Sequence, residues 1–453
     1  MAREEAENGR DDMQIDGPVP EPERGLAVPD GFNPDYLKIY YGKLFPHKYI
    51  FEWLSYGNDK KHPGCDQSYF GRREFSFTLD NDIYLRFQSF NSVSELKKSI
   101  NEKCPIKIDI GAVYNVDPVQ RHAYAQSDDN GFTPVERELI FDVDITDYDD
   151  VRYCCSGADV CLDCWPLMTV AIKVIDVSLR DDFGFNHILW VYSGRRGVHC
   201  WVCDGKARRL NDEQRASIAN YLYLYKGNEN SRKKVSLMAG PMHPFVIRSS
   251  KISEKHFKEK LVSSQNLFSN EERFEKILAM IPDESVTSEL RGAWQESRRS
   301  SNLNEAINVS RWELLKCKLQ SRKHKGLRKF VEEIALSYAY PRLDMEVSKH
   351  MNHLLKAPFC VHPKTGHVCV PINPNLCEKF DPTSVPTLSK LLGELNRFGL
   401  GADGDDGWER TSLGESVMYF RQDFLPPLLQ SCKVEIESSY IAKHRESKTS
   451  LGW

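Results

Sequence analysis

From residue 32 to about residue 54, apolar side chains recur at the spacing of a helix with one buried face. The stretch "REFSFTLDNDIYLRFQSF" (73–90) then switches to period two. Phe75, Phe77 and Leu79 face one way, and Glu74, Ser76 and Thr78 the other. After an Asp80-Asn81-Asp82 turn, Ile83, Leu85 and Phe87 alternate with Tyr84, Arg86 and Gln88. This predicts a β-hairpin whose register pairs apolar face with apolar face, leaving Glu74 and Arg86 on one polar face about one pair apart. "KIDIGAVY" (107–114), residues 139–145 and residues 188–192 predict further strands, and residues 165–179 a helix covering the sheet.

The pattern changes near residue 224. Up to about residue 340 the chain is helical, charged and poor in strand signal, which predicts an inserted helical subdomain. Within it, Ser269 and Glu272 are spaced as a capping box ahead of Phe274, Ile277, Leu278 and Ile281. The mixed pattern resumes at residue 341. The chain thus divides into an α/β unit over 31–223, the helical insertion over 224–340 and a second α/β part over 341–440. A flexible, glycine- and acid-rich loop is expected at 399–407 and a polar tail at 441–453. No internal repeat is visible.

Composition adds bounds. At 453 residues two or three structural units are expected. The net charge of -4 announces no polyanionic partner, so local basic patches must bind one if it exists. The first thirty residues hold nine acids, three arginines and four prolines, the composition of a disordered tail rather than a transit peptide. No apolar run reaches membrane-span length. The thirteen cysteines without a secretory pattern point to a reduced compartment. The basic run at 321–329 offers a nucleic-acid contact, an import signal or a solvated helix face.

In "ELIFDVDITDYDD" (138–150), Leu139, Phe141, Val143 and Ile145 form a buried face, which sets Asp142 and Asp144 side by side on the other. Adjacent carboxylates repel unless a cation or proton lies between them, and a pair of divalent metal ions fits their reach. Two other readings stand beside this one. The first is a solvated sheet face. The second is a dehalogenase-type phosphatase, with Asp142 as nucleophile, Asp144 as general acid and Asp405-Asp406 as its late acidic pair. Asp147, Asp149 and Asp150 read as turn residues.

"LWVYSGRRGVHCWV" (189–202) is a strand, a turn bounded by Gly194 and Gly197, and a second strand. Arg195 and Arg196 offer forked donors matched to phosphate, Ser193 a hydroxyl, and His199 can share their face. Two solvent-facing arginines are the plainer alternative. Cys200 and Cys203 straddle a strand and read as core. Cys154, Cys155, Cys161 and Cys164, spaced CC-x5-C-x2-C, suit either a closed tetrahedral zinc site or a cluster of reduced thiols.

Taken together, "FDVDITDYDDVRYCCSGADVCLDCW", "YSGRRGVHCWVCD", the hairpin, "KIDIGAVY" and "PRLDMEVSKHMNHLLKAPFCVHPKTG" resemble the catalytic small subunit of archaeal and eukaryotic DNA primases, the eukaryotic form more closely, over about residues 32–385. The resemblance implies a mixed α/β "prim" fold with a helical insertion and synthesis of RNA primers on single-stranded DNA from ribonucleoside triphosphates. It implies that Asp344 joins Asp142 and Asp144 in holding two Mg²⁺ or Mn²⁺ ions. By the same resemblance Ser193, Arg195, Arg196 and His199 grip the triphosphate, and His353, Lys356 and His362 bind nucleotide. Leu354 and Leu355 shape that pocket, and Arg86 and Asp109 lie near the ribose. Glu74 is implied as an acid needed for catalysis, above all for initiation. The four cysteines match a structural zinc motif. A large iron–sulfur subunit, DNA polymerase α and a nuclear location are implied as well. The non-enzymatic alternative is a catalytically silent replication scaffold.

Overall fold

The computed structural model describes residues 32–124, 131–226, 234–237, 240–300, 305–398 and 407–450. The acidic tail and nearly all of the 399–407 loop lie outside the described residues.

The helical periodicity of residues 32–54 resolves into two helices, Pro34–Lys43 and His47–Ser55, divided at Pro46. Asn33 caps the first by accepting from the Asp35 amide, and Pro34 occupies the first turn, where its missing N–H costs nothing. Among the described residues nine strands follow in chain order: β1 Arg73–Thr78, β2 Tyr84–Gln88, β3 Lys107–Tyr114, β4 Pro134–Glu136, β5 Leu139–Asp144, β6 Ile188–Tyr192, β7 Gly197–Val202, β8 Leu355–Lys356 and β9 Pro371–Ile372. They form two sheets of antiparallel pairs, one ordered β2-β1-β3-β4 with β8 also on β3, the other β5-β7-β6-β9. The fold class is mixed α/β.

The hairpin forms as the alternation requires, with Thr78 opposite Tyr84 and Phe77 opposite Leu85. A register shift follows, and Phe87 takes φ +58°, a left-handed conformation rare for an aromatic residue. The second sheet is buried over most of both faces, strands β6 and β7 throughout. Trp190 and Trp201 are fully covered, Trp53 packs edge-on against Trp201 at 5.4 Å, and the helix Pro166–Asp181 covers the sheet.

Between the sheets lies a buried ion cluster. Glu138 accepts from Arg73 Nη2 at 2.9 Å, from Arg137 Nη1 at 2.6 Å and from the Tyr56 hydroxyl at 2.7 Å, with all three charged side chains fully covered. Burial pushes the Glu138 carboxyl upward, but Arg73 and Arg137 outweigh it and hold it well below the usual range. Arg137 also donates to the Ile110 and His353 carbonyls, so one cluster joins both sheets to the segment that enters β8. Such a cluster adds little net stability over an apolar one, but losing one member leaves the others buried and unpaired.

Among the described residues no strand lies between β7 and β8, and the helices Pro244–His256, Glu271–Leu278, Glu284–Ser300, Glu305–Gln320 and Phe330–Ala339 fill this span. The expected Ser269/Glu272 capping box does not form. Asn270 caps the helix by accepting from the Glu272 amide at 2.8 Å, while Ser269 Oγ donates back to the Asn266 carbonyl. The polar sequence beyond residue 441 continues a helix that runs Leu425–Ser450. No described helix is long and apolar enough to cross a membrane.

Candidate active site

Strand β5 carries Asp142 and Asp144 on one face, each side chain 31% exposed, while Leu139, Phe141 and Val143 are buried. Antiparallel pairing sets Asp142 opposite His199 and Asp144 opposite Gly197. A Cβ at Gly197 would collide with the Val143 carbonyl oxygen, so only glycine permits this pairing. Asp144 is aimed by Thr146, whose amide and hydroxyl donate to Oδ1 at 2.9 and 2.7 Å. Its Oδ2 accepts from Arg196 Nε at 2.7 Å.

The third acid arrives from the far side of the helical region. The Asp344 amide donates to the Asp142 carbonyl at 3.2 Å. Asp344 also caps the short helix Met345–Lys349, its Oδ1 accepting from Glu346 N at 3.0 Å and Val347 N at 3.4 Å. Burial, then the charges of Asp144 and Asp344, push the Asp142 carboxyl up to about 7. Paired acids on one strand face, with a third close enough to raise Asp142 further, suit hard divalent metal ions, which take carboxylate oxygens.

The β6–β7 turn closes the other side. Gly194 has φ +84°, and a Cβ there would lie 2.7 Å from His362 Cβ. Ser193 Oγ accepts from Gly197 N at 3.0 Å, which spends the hydroxyl on shaping the turn. Lys356 Nζ reaches the Ser193 carbonyl at 3.3 Å, and Thr365 Oγ1 donates to the Gly194 carbonyl at 2.6 Å. Asp142, Asp144, Arg195, Arg196, Lys356 and His362 thus line a single open pocket together with Ser193 and His199. Burial, then the ammonium of Lys356, lowers both His199 and His362 to about 3, so both are neutral at pH 7. The 3.8 Å approach of His199 Nε2 to Asp142 Oδ1 is therefore not an ion pair at that pH.

The remaining expected residues sit on the first sheet. β8 pairs Lys356 with Asp109, which is buried with its carboxylate 2.9 Å from Lys107 Nζ. Glu74 is fully covered. It accepts from Arg86 Nε at 2.9 Å and Nη2 at 3.2 Å, from the Phe87 amide at 3.4 Å and from the Tyr114 hydroxyl at 3.1 Å. Arg86 is 37% exposed and is the part of this pair that solvent reaches. A Cβ on Gly111 would meet Leu354 Cδ2 at 2.8 Å and Glu74 Cβ at 3.0 Å, so Leu354 packs over the glutamate through a glycine gap. Leu355 pairs with Ile110, and His353 contributes its carbonyl to Arg137. Sequence reasoning passed over Lys107 and Tyr114. Lys107, two residues from Asp109 on one strand face, left a readable signal; Tyr114 left none.

The four cysteines Cys154, Cys155, Cys161 and Cys164 place their sulfurs within 4.8 Å of one another. Cys161 Sγ and Cys164 Sγ are 3.8 Å apart, about the edge of a tetrahedron with Zn–S bonds of about 2.3 Å. The Cys164 thiol is lowered to about 5, first by a hydrogen bond from Cys154 and, against burial, by the Cys161 amide and Arg152. The donor set fits zinc.

The DNA primase small subunit family matches residues 141–374, half of the chain. The small subunit of Drosophila melanogaster DNA primase is 43% identical over 442 residues, covering 91% of this chain and 96% of that one. This chain belongs to the DNA primase small-subunit family. The Schizosaccharomyces pombe small subunit is 40% identical across 83% of this chain and 81% of its own, and that of Saccharomyces cerevisiae 36% identical across 80% and 85%. The family match spans both Asp142 and Asp344.

Proposed function

We propose that this chain is the catalytic subunit of a DNA primase, which joins ribonucleotides into short RNA primers on single-stranded DNA and releases pyrophosphate. The observation that carries the proposal is the pocket in which Asp142 and Asp144 face the double-arginine turn, with Asp344 tied to the same strand by its amide bond to the Asp142 carbonyl. Asp142, Asp144 and Asp344 would hold two Mg²⁺ or Mn²⁺ ions, which when bound favour the attacking 3′-hydroxylate and offset charge on the triphosphate.

The chain's own groups do the remaining work. Arg195, Arg196 and Lys356 are fixed cations facing the pocket, and they grip the triphosphate as its charge shifts toward the leaving pyrophosphate. His199 and His362 serve as neutral N–H donors. Ser193 shapes the turn. Arg86 and Asp109 lie toward the ribose, with His353, Leu354 and Leu355 backing that side. Glu74, fully covered, acts through Arg86 rather than by touching substrate. Cys154, Cys155, Cys161 and Cys164 would hold a Zn²⁺ ion in a structural role, fixing the loop that carries them.

A phosphatase reading is not favoured. The acid that meets Asp142 is Asp344, a helix cap, and the Asp405-Asp406 pair lies outside the described residues. A silent scaffold has no need of paired acids facing two arginines and a lysine across one pocket. The subunit's setting on this reading is the nucleus, with a large iron–sulfur subunit and DNA polymerase α. Labelled ribonucleotides on a single-stranded DNA template test the proposal: RNA products with one pyrophosphate per addition are expected. Phosphate release without RNA contradicts it.

A further inference from the structure

Asp344 belongs to a segment that no local turn connects to Asp142, so its placement depends on contacts between distant stretches of chain. Many of these meet at Arg342, two residues before Asp344. The Arg342 amide donates to the Tyr148 hydroxyl oxygen at 3.0 Å, and that hydroxyl lies 3.4 Å from the Tyr340 carbonyl. The guanidinium, 6% exposed, donates to the Asp147 carbonyl and the Asp150 carboxylate, and also to the Ser337 carbonyl at 3.2 Å. It lies over the Tyr148 ring at 4.8 Å and the Tyr225 ring at 4.2 Å. Tyr148 and Asp147 belong to the turn Ile145–Tyr148, which begins directly after Asp144, and Asp150 follows it.

The geometry points to Arg342 as a positioning residue: by clamping residues 337–344 onto the turn that leaves β5, it sets the approach of Asp344 to Asp142 and Asp144, and with it their affinity for divalent cations. This rests on the reading of the three acids as metal ligands. Arg342 touches neither substrate nor metal. Only a rigid fork reaches acceptors on both segments at once, which a lysine ammonium does not reproduce. A buried guanidinium is costly unless its partners are fixed, so the arrangement favours one relative placement of the two segments.

The sign of the effect separates positioning from charge. Removing a cation near the acids would, by Coulomb attraction alone, tighten Mn²⁺ binding. Loss of positioning weakens it.

Mn²⁺ titration of the full chain, followed by electron paramagnetic resonance, tests this with Arg342→Met, Arg342→Lys and Tyr148→Phe. The expected result is roughly tenfold weaker Mn²⁺ binding in Arg342→Met, the low end of what supporting-shell changes cost a metal site. Arg342→Lys recovers part of it, and Tyr148→Phe, which alters no charge, weakens binding in the same direction. Primer synthesis by Arg342→Met recovers as Mn²⁺ is raised, which a general loss of folded protein would not do. Unchanged or tighter Mn²⁺ binding in a variant with the parent's circular dichroism overturns the clamp, and Tyr148→Phe decides if Arg342→Met does not fold. Should the parent bind no Mn²⁺ that Asp344→Asn abolishes, the metal reading itself fails and the clamp with it.

Discussion

Arg196 Nε lies 2.7 Å from Asp144 Oδ2, so a guanidinium of the β6–β7 turn is paired with one of the two acids of β5. The two halves of the site are thereby linked before any substrate arrives. Both partners are about one-third exposed, and such a pair contributes at most about 1 kcal/mol to stability. Arg196→Ala should therefore leave the melting temperature almost unchanged. It should raise the KM for ribonucleoside triphosphates by about tenfold or more, the cost of one charged hydrogen bond. Arg196→Lys should recover only part of this, because the fork is lost. Steady-state primer extension across a nucleotide titration measures it.

Asp142 gives a pH dependence of definite sign. Its carboxyl is raised from 3.8 to about 7, so between those values the folded chain holds a proton that the unfolded chain does not. Without added divalent cation, stability should fall as pH rises from about 4 to 7 and stay low above that. Mn²⁺ should bind more tightly as pH rises through the same window. Thermal melts across pH test this, and in Asp142→Asn this contribution to the downward slope should vanish.

Tyr114 supports Arg86 through Glu74. Its ring stacks on Phe132 at 4.0 Å, and its hydroxyl donates to Glu74. Tyr114→Phe keeps the stack and removes one of the donors to the carboxylate, at a cost of about 1 kcal/mol. If Glu74 works by holding Arg86, the variant should show a several-fold rise in nucleotide KM with kcat near the parent's. A fall in kcat alone would instead give Glu74 a direct part in the chemistry.

The cysteine loop is tied to the helical region through Gln265, and Arg273 lies over the Tyr153 ring at 4.1 Å. Gln265 accepts from Tyr153 N at 2.8 Å and donates to the Asp163 carbonyl at 3.0 Å, gripping the loop at both ends. Elemental analysis should find one zinc per chain, and Cys161→Ser should lose it. Hydrogen exchange in that variant should quicken over residues 149–165 and also near Gln265, because both lose the same joint.

What the sequence revealed followed locality. Alternation placed Asp142 and Asp144 on one strand face, glycines marked the arginine turn, and close spacing gathered the cysteines. The Glu74–Arg86 pairing was readable too, since hairpin register alone brings them together. The full covering of Glu74 was not, because Leu354, packed across Gly111, comes from a distant segment. Asp344 was invisible to periodicity for the same reason and was reached by resemblance alone. Asp150 read as a turn residue but holds Arg342, a partner no local pattern could supply. The misplaced cap at Ser269 shows that Asn270, equally able to cap, wins when the turn before it uses the serine hydroxyl.

The most direct measurement is the rate of RNA primer synthesis by Asp344→Asn on single-stranded DNA with saturating Mn²⁺. Asparagine caps the helix Met345–Lys349 as well as aspartate does, so the fold is kept and only the charge is lost. The expected result is a loss of at least about a hundredfold in rate, with an unchanged or higher melting temperature. Synthesis at the parent rate by the folded variant would contradict the joint role of Asp142, Asp144 and Asp344.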